Sequence, residues 1–309
     1  MDGVDSFVKQ RRVALIGAAS GWGAGFRQTE NGPPALREMG LARWLRGAGI
    51  DAHWSAMIEP SRFWREHPDL ERAHVFDEVA ELNGALCRAV CEAMGGGKFP
   101  AVLGGDHSIA MGTWGGVARG LGRQPFGLLW FDAHLDAHTI ATTPSMNPHG
   151  MPAAVLLGHG DPDFLAIGGG ALRPEHLCYI GARSFESGEQ ALLEGLGVRI
   201  FYMDEVHRRG LGNVVDEALT IATSGTAGFG LSIDLDGFDP LDAPGIGLKE
   251  PNGLRRNEML AALGEIARRS ELRALEIVEY IPEFDEGMRT ARLVRDLLLT
   301  ALVPAAVPA

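Results

Sequence analysis

Seven short apolar runs recur along the chain, at residues 13–17, 101–103, 127–131, 177–181, 198–202, 228–233 and 274–278. Each is mostly continuous in its apolarity rather than alternating, the pattern of strands buried on both faces of a parallel sheet. Between them lie stretches with helical periodicity, at 35–47, 77–94, 109–120, 213–222, 256–269 and 286–302. Strand and helix in repeated alternation predict a three-layer α/β/α fold around a central, mainly parallel sheet. No Pro-, Gly- or Ser-rich linker and no fixed-period repeat interrupts the pattern, so residues 1–309 are expected to form a single domain. In such a sheet, ligands sit beyond the carboxyl ends of the strands, which makes the polar residues after each run the first candidates for chemistry.

Composition narrows the functional classes. Apolar residues make up 46 % of the chain and charged residues 22 %, the balance of an ordinary globular protein. Forty acidic against twenty-eight basic residues give a formal charge of −12, a poor match to nucleic acid or an anionic membrane. Neither partner is expected. Six scattered tryptophans do not make a stacking platform for bases, and Gly21-Trp-Gly-Ala-Gly lacks the third glycine of a dinucleotide loop. That segment is expected to shape a loop at a pocket rim. Cys87, Cys91 and Cys178 are too few for a disulfide scaffold and read as small buried side chains in a reducing, cytoplasmic setting. Residues 1–12 are polar where a secretory signal needs an apolar run, and no stretch of membrane-spanning length occurs.

Three of the runs end in metal-ligand chemistry. After 101–103 comes Gly104-Gly-Asp-His-Ser, with Asp106 and His107 just ahead of a helix. After 127–131 comes Asp132-Ala-His134-Leu-Asp136-Ala-His138, with a potential ligand at every second position, so that extended backbone would turn Asp132, His134 and Asp136 to one side. After 228–233 comes Asp234-Leu-Asp236-Gly-Phe-Asp-Pro. Carboxylates clustered at the ends of buried strands repel one another and lose hydration, at a cost of several kcal/mol each unless cations neutralise them. No Lys or Arg lies between Phe126 and Gly158 to do so. His107, Asp132, His134, Asp136, Asp234 and Asp236 exceed the ligand set of one tetrahedral zinc, which implies two ions. A set rich in carboxylate and free of thiolate favours a harder ion such as manganese. Two ions roughly 3.5–4 Å apart can acidify a shared water to a hydroxide, which suggests hydrolysis.

These three motifs, in this order, resemble the metal-binding signatures of the arginase/agmatinase (ureohydrolase) family. Gly32-Pro-Pro-Ala-Leu-Arg, Asn147-Pro-His149-Gly-Met-Pro and Glu276-Ile-Val-Glu279-Tyr extend the resemblance over nearly the whole chain. The layout is nearer to arginases than to agmatinases.

The resemblance implies an arginase-like fold and two Mn2+ per subunit. His107, Asp132, Asp136 and Asp234 would hold one ion; Asp132, His134, Asp234 and Asp236 would hold the other. It further implies attack by a bridging hydroxide on the guanidino carbon of L-arginine, with Asp136 accepting a hydrogen bond from it, to give L-ornithine and urea. His149 matches the proton-shuttle histidine that the poor amine leaving group requires, and Glu279 matches the carboxylate that grips the guanidinium. Thr143, Ser145 and Asn147 fall where arginases contact the substrate carboxylate, and Glu186 falls near their contact to the α-amino group. His138 stands where arginases usually carry an Asn, and the loop 244–253 also departs from the usual form. Agmatine, guanidinobutyrate, guanidinopropionate and formiminoglutamate use the same metal core and are rival substrates. A non-catalytic regulatory or scaffold subunit is the alternative of a different class. The resemblance also implies a homo-oligomer, trimer or hexamer.

Overall fold

The computed structural model describes residues 11–67 and 74–303; the N-terminal stretch 1–10 read above lies outside the described residues. Eight strands form one sheet: β1 (Arg12–Ala18), β2 (Asp51–Ile58), β3 (Phe99–Gly104), β4 (Gly127–Phe131), β5 (Leu177–Ala182), β6 (Arg199–Tyr202), β7 (Phe229–Asp234) and β8 (Leu272–Val278). Their order is β2-β1-β3-β8-β7-β4-β5-β6, and every neighbouring pair is parallel. The seven apolar runs all fall on strands. The eighth strand, β2, reads Asp-Ala-His-Trp-Ser-Ala-Met-Ile and is only partly buried at the sheet edge. An edge strand with a solvated side alternates instead of running continuously apolar, which hides it from a search for continuous runs.

Successive strand residues serve opposite layers, as the period of two requires. In β1, Val13 and Leu15 join one core with Leu45, Val214, Leu219, Leu263, Val294 and Leu297, from the helices Leu41–Gly47, Leu211–Thr223, Arg256–Ile266 and Arg289–Leu302. Ala14, Ile16 and Ala18 join the other with Leu82, Leu86 and Val90 of helix Val75–Gly95 and with Trp114 and Val117 of helix Ala110–Gly120. The helix expected over 35–47 is two, Gly32–Glu38 and Leu41–Gly47, because Gly40 turns left-handed at φ 84° and breaks it. Among the described residues, no helix is long and apolar enough to cross a membrane.

The topology fixes where ligands can gather. β3, β8, β7 and β4 are consecutive in the middle of the sheet although they come from distant parts of the chain. Their carboxyl ends therefore deliver His107, Glu279, Asp234 and Asp132 to one place, at the point where strand order reverses.

Gly230 in β7 gives a measure of how tightly the layers close. A Cβ there would lie 2.1 Å from Cζ3 of Trp114, which is fully buried. Gly230→Ala is expected to cost about 3 kcal/mol through overpacking, read as a lower urea midpoint with unchanged slope. An unaltered midpoint would contradict this packing.

Candidate metal centre and active site

The loops that carry the site are closed on one another through Gly105. Its N–H donates to Ala18 O and its carbonyl accepts from Glu279 N–H, both at 2.8 Å. A Cβ at this position would sit 1.7 Å from Ser20 O, so a side chain would force the β1 and β8 loops apart. Buried Asp106 extends the closure, accepting from Ser20 Oγ at 2.8 Å, Gly23 N at 3.1 Å and Ser108 N at 3.0 Å. His107 thus leaves β3 on a backbone held from both sides.

At the centre, His107 Nδ1 faces Asp132 Oδ2 at 3.2 Å, Asp136 Oδ2 at 3.0 Å and Asp234 Oδ2 at 3.0 Å. His134 Nδ1 faces Asp236 Oδ2 at 3.1 Å and Asp132 Oδ1 at 3.5 Å. Asp132 therefore presents one oxygen to each imidazole. The structure brings His107, Asp132, Asp136 and Asp234 into one group and Asp132, His134 and Asp236 into a second, the ligand atoms of each lying within 4.8 Å of one another. Asp234 falls in the first group only. The convergence does not arise by extension of the strand, as the alternate spacing suggested, because β4 ends at Phe131. It arises from a turn in which Asp132 Oδ1 accepts His134 N–H at 2.7 Å, and from a left-handed backbone at Asp136, φ 48°. Non-glycine residues in that region are strained and concentrate at functional sites; Glu279, at φ 68°, is another.

The electrostatics of this set call for cations. Burial raises Asp234 well above the usual carboxylate range, and Asp236 and Asp132 push it further. Asp136 is raised by burial and by Asp132. Burial would lower both imidazoles, yet the surrounding aspartates hold His107 and His134 far above their ordinary value. Asp132 is held low, against its burial, by its contacts with His107 and His134, while Asp136 and Asp234 are driven toward protonation, as carboxylates are when positive charge is wanting. His107 Nδ1 is buried and forms no directed hydrogen bond despite its three near oxygens. Its ring is oriented from behind: Nε2 lies 3.0 Å from Ser232 Oγ, which itself donates to Glu276 Oε1 at 2.7 Å. With Nε2 held by Ser232, Nδ1 faces the acidic centre, the orientation of a metal-ligating histidine once the ring is neutral. Trp130 Nε1 similarly donates to Asp132 Oδ2 at 2.8 Å. The nearby cation Arg183 feels the charge of Asp236 and Asp132 but donates its hydrogen bonds to the carbonyls of Gly181, Asp236, Gly237, Phe238, Glu250 and Pro251, and pairs with no carboxylate of the cluster. The residues present can hold metal ions.

A cavity of about 360 Å3 opens above the cluster, within the size range of small-molecule sites. His134, Asp136, His138, Ser145, Asn147, His149, Glu186, Asp234, Asp236 and Glu279 all line it. So do Ala24, Gly25 and Phe26, which puts the glycine-rich 21–25 segment at the rim. Thr143 does not line it; its Oγ1 accepts from Met146 N at 3.0 Å and braces the loop. Glu279 Oε1 accepts His107 N–H at 2.9 Å and lies 3.5 Å from His149 Nδ1. Burial lowers His149, but this carboxylate more than offsets it and the ring is pushed up to about 9. His138 is already engaged, with Nε2 3.1 Å from Glu186 Oε2 and Nδ1 3.1 Å from Thr142 Oγ1.

Two residues escaped the sequence reading. Glu189 is buried on the cavity wall, raised to about 8 by burial, and accepts from Glu186 N and Ala137 N. The Glu186-x-x-Glu189 spacing of a capping box was its one local signal. Glu250 reaches the wall from the loop 244–253, which stands out in the sequence as a whole and not at this residue.

Comparison with known proteins agrees with this geometry. The sequence profile described as "Arginase family" matches residues 11–303. The arginase of Bacillus caldovelox is 39 % identical over 282 residues, 90 % of this chain and 94 % of that protein. The Bacillus subtilis arginase structure superposes with a TM-score of 0.87 at 33 % identity, covering 94 % of this chain and 98 % of that one. The Entamoeba histolytica arginase solved with L-ornithine superposes with a TM-score of 0.86 at 27 % identity, over 95 % of this chain and 98 % of that one. Sharing the profile over nearly its whole length and the fold of these enzymes, the chain belongs to the arginase family.

Proposed function

We propose that the chain is a hydrolase that cleaves the guanidino group of L-arginine to L-ornithine and urea, with two Mn2+ per subunit, and that residues 1–309 act as one domain. The observation that carries the reading is the pair of His/Asp groups sharing Asp132 at the floor of the cavity. In this reading His107, Asp132, Asp136 and Asp234 hold one ion and Asp132, His134, Asp234 and Asp236 hold the other. When bound, the two cations offset the charge of four buried aspartates and acidify water between them.

The remaining work falls to the chain's own side chains. Glu279, fixed through its bond from His107 N–H, accepts parallel N–H bonds from the planar guanidinium and sets its carbon above the cluster. Asp136 accepts a hydrogen bond from the attacking water. His149, protonated at neutral pH because its value lies near 9, hands its proton to the departing amine, which leaves poorly without one. The tail extends toward the rim. Glu186, with Glu189 behind it, suits an ammonium, and His138, Ser145 and Asn147 suit a carboxylate. His138 must give up Glu186 to meet that carboxylate, so the two residues act together. Thr143 supports the loop. A cytoplasmic, homo-oligomeric enzyme, trimer or hexamer, accompanies the reading; it rests on the family and on the cysteine content.

Asp234→Asn removes one charge from the buried set and is expected to lose bound manganese and urea release together, by at least about a hundredfold, the upper end of what a weakened metal site costs. Full activity in this variant would refute the dinuclear assignment. Substrate choice is checked by measuring urea release across L-arginine, agmatine, guanidinobutyrate and guanidinopropionate, and glutamate release from formiminoglutamate. The highest kcat/KM is expected for L-arginine; preference for agmatine would overturn the tail assignment, and silence on every compound with metal bound would favour the scaffold alternative.

A further inference from the structure

A second cavity, of about 210 Å3, lies at the opposite end of the sheet, where β1, β3 and β8 begin. Arg11, Arg12, Lys98, Phe99, Ser270 and Arg273 are among its lining residues. In a chain of formal charge −12, four cationic side chains meet here with no acidic residue in the lining. Their hydrogen bonds go to main-chain carbonyls: Arg11 Nη2 to Arg269 O at 3.2 Å, Arg12 Nη2 to Gly96 O at 2.9 Å, and Arg273 Nε to Ala227 O at 2.8 Å. Arg273 Nη1 adds a long contact to Ser270 O at 3.5 Å. Most N–H donors of three guanidiniums are left over.

Two acidic residues flank the cavity, and neither forms an ion pair with its cations. Asp51, across from Arg12 in the β1–β2 register, contacts His53 Nε2 at 3.0 Å, and Glu271 accepts from Ser270 Oγ at 3.3 Å. Among the described residues, none of the four cations has an ion-pair partner, whereas Arg199 and Arg209 at the β6 edge share Glu205 and Glu217. Arg11 is partly buried, with its guanidinium 5.2 Å from the centroid of the Phe99 ring. Burial lowers its pKa and the charge of Arg273 lowers it further, the mark of like charges packed without a counter-charge.

We propose that this cavity binds a small tetrahedral oxyanion of the phosphate type, held by the free guanidinium N–H groups of Arg11, Arg12 and Arg273 and the ammonium of Lys98. Guanidiniums match such an oxyanion in shape as well as charge. The volume is below the roughly 300–1,000 Å3 of sites for larger organic ligands, which points to phosphate itself or a small phosphate ester rather than a nucleotide. The site is separate from the metal cluster, whose residues lie at and beyond the carboxyl ends of β3, β4 and β7 at the other end of the sheet.

Calorimetric titration of the metal-loaded protein with sodium sulfate, at ionic strength held constant with sodium chloride, tests the proposal; sulfate imitates the phosphate dianion without chelating the metal. One saturable site per chain is expected. Lys98→Glu, an exposed change that leaves folding and urea release alone, should weaken it at least about tenfold, and Arg11→Ala with Arg273→Ala should abolish it. Absence of saturable binding in the wild type, or equal affinity in the wild type and Lys98→Glu, would overturn the proposal and leave these arginines as caps for main-chain carbonyls.

Discussion

Four aspartates buried around two imidazoles dominate the free energy of this protein's centre. Like charges withdrawn from water repel strongly, and among the described residues no Lys or Arg pairs with them: Arg183, the cation beside the site, attracts Asp236 and Asp132 from a distance but bonds to carbonyls. Such a set is relieved by protons or by metal ions, and burial and mutual repulsion already raise Asp234 while the aspartates raise His107 and His134. Much of the surrounding structure serves to hold these groups together against their repulsion. Gly105 ties the β1, β3 and β8 loops at van der Waals limits, Asp106 anchors the rim loop, and the Ser232–Glu276 pair aims His107 from behind.

Sheet order turns this local chemistry into a site. With β8 and β7 inserted between β3 and β4, four strands far apart in sequence end side by side. The floor of the cavity is then strand ends, rigid and buried, while its walls are loops from β5 and from the stretches 138–150 and 248–250. That division places the acidic cluster in the rigid core and leaves the rim of the cavity to loops, which vary more readily than the elements they connect.

The reacting part was legible in the sequence for the same reason. Strands buried on both faces read as unbroken apolar runs, so an acid directly after one, such as Asp132 or Asp234, stands out against its surroundings. Features governed by tertiary context were not legible. β2 alternates because it is an edge. Asp136 joins the cluster through a left-handed backbone, which spacing cannot reveal. His138 stood out as a residue in place of an Asn, and its engagement with Glu186 and Thr142 depends on loops that the sequence does not bring together. Thr143 read as a substrate contact, yet it braces its own loop. Glu189 reaches the wall from the first turn of helix Ser187–Gly195 and Glu250 from a loop far along the chain, and nothing adjacent to either announces the other.

The central claim is that the buried aspartates exist to hold two cations, and a crystal of the manganese-loaded protein measured at the manganese absorption edge tests it most directly. Two anomalous peaks per chain at full occupancy are expected, one among His107, Asp132, Asp136 and Asp234 and the other among Asp132, His134, Asp234 and Asp236, with Asp132 and Asp234 touching both. A single peak, or density for water alone among protonated carboxyls, would contradict it.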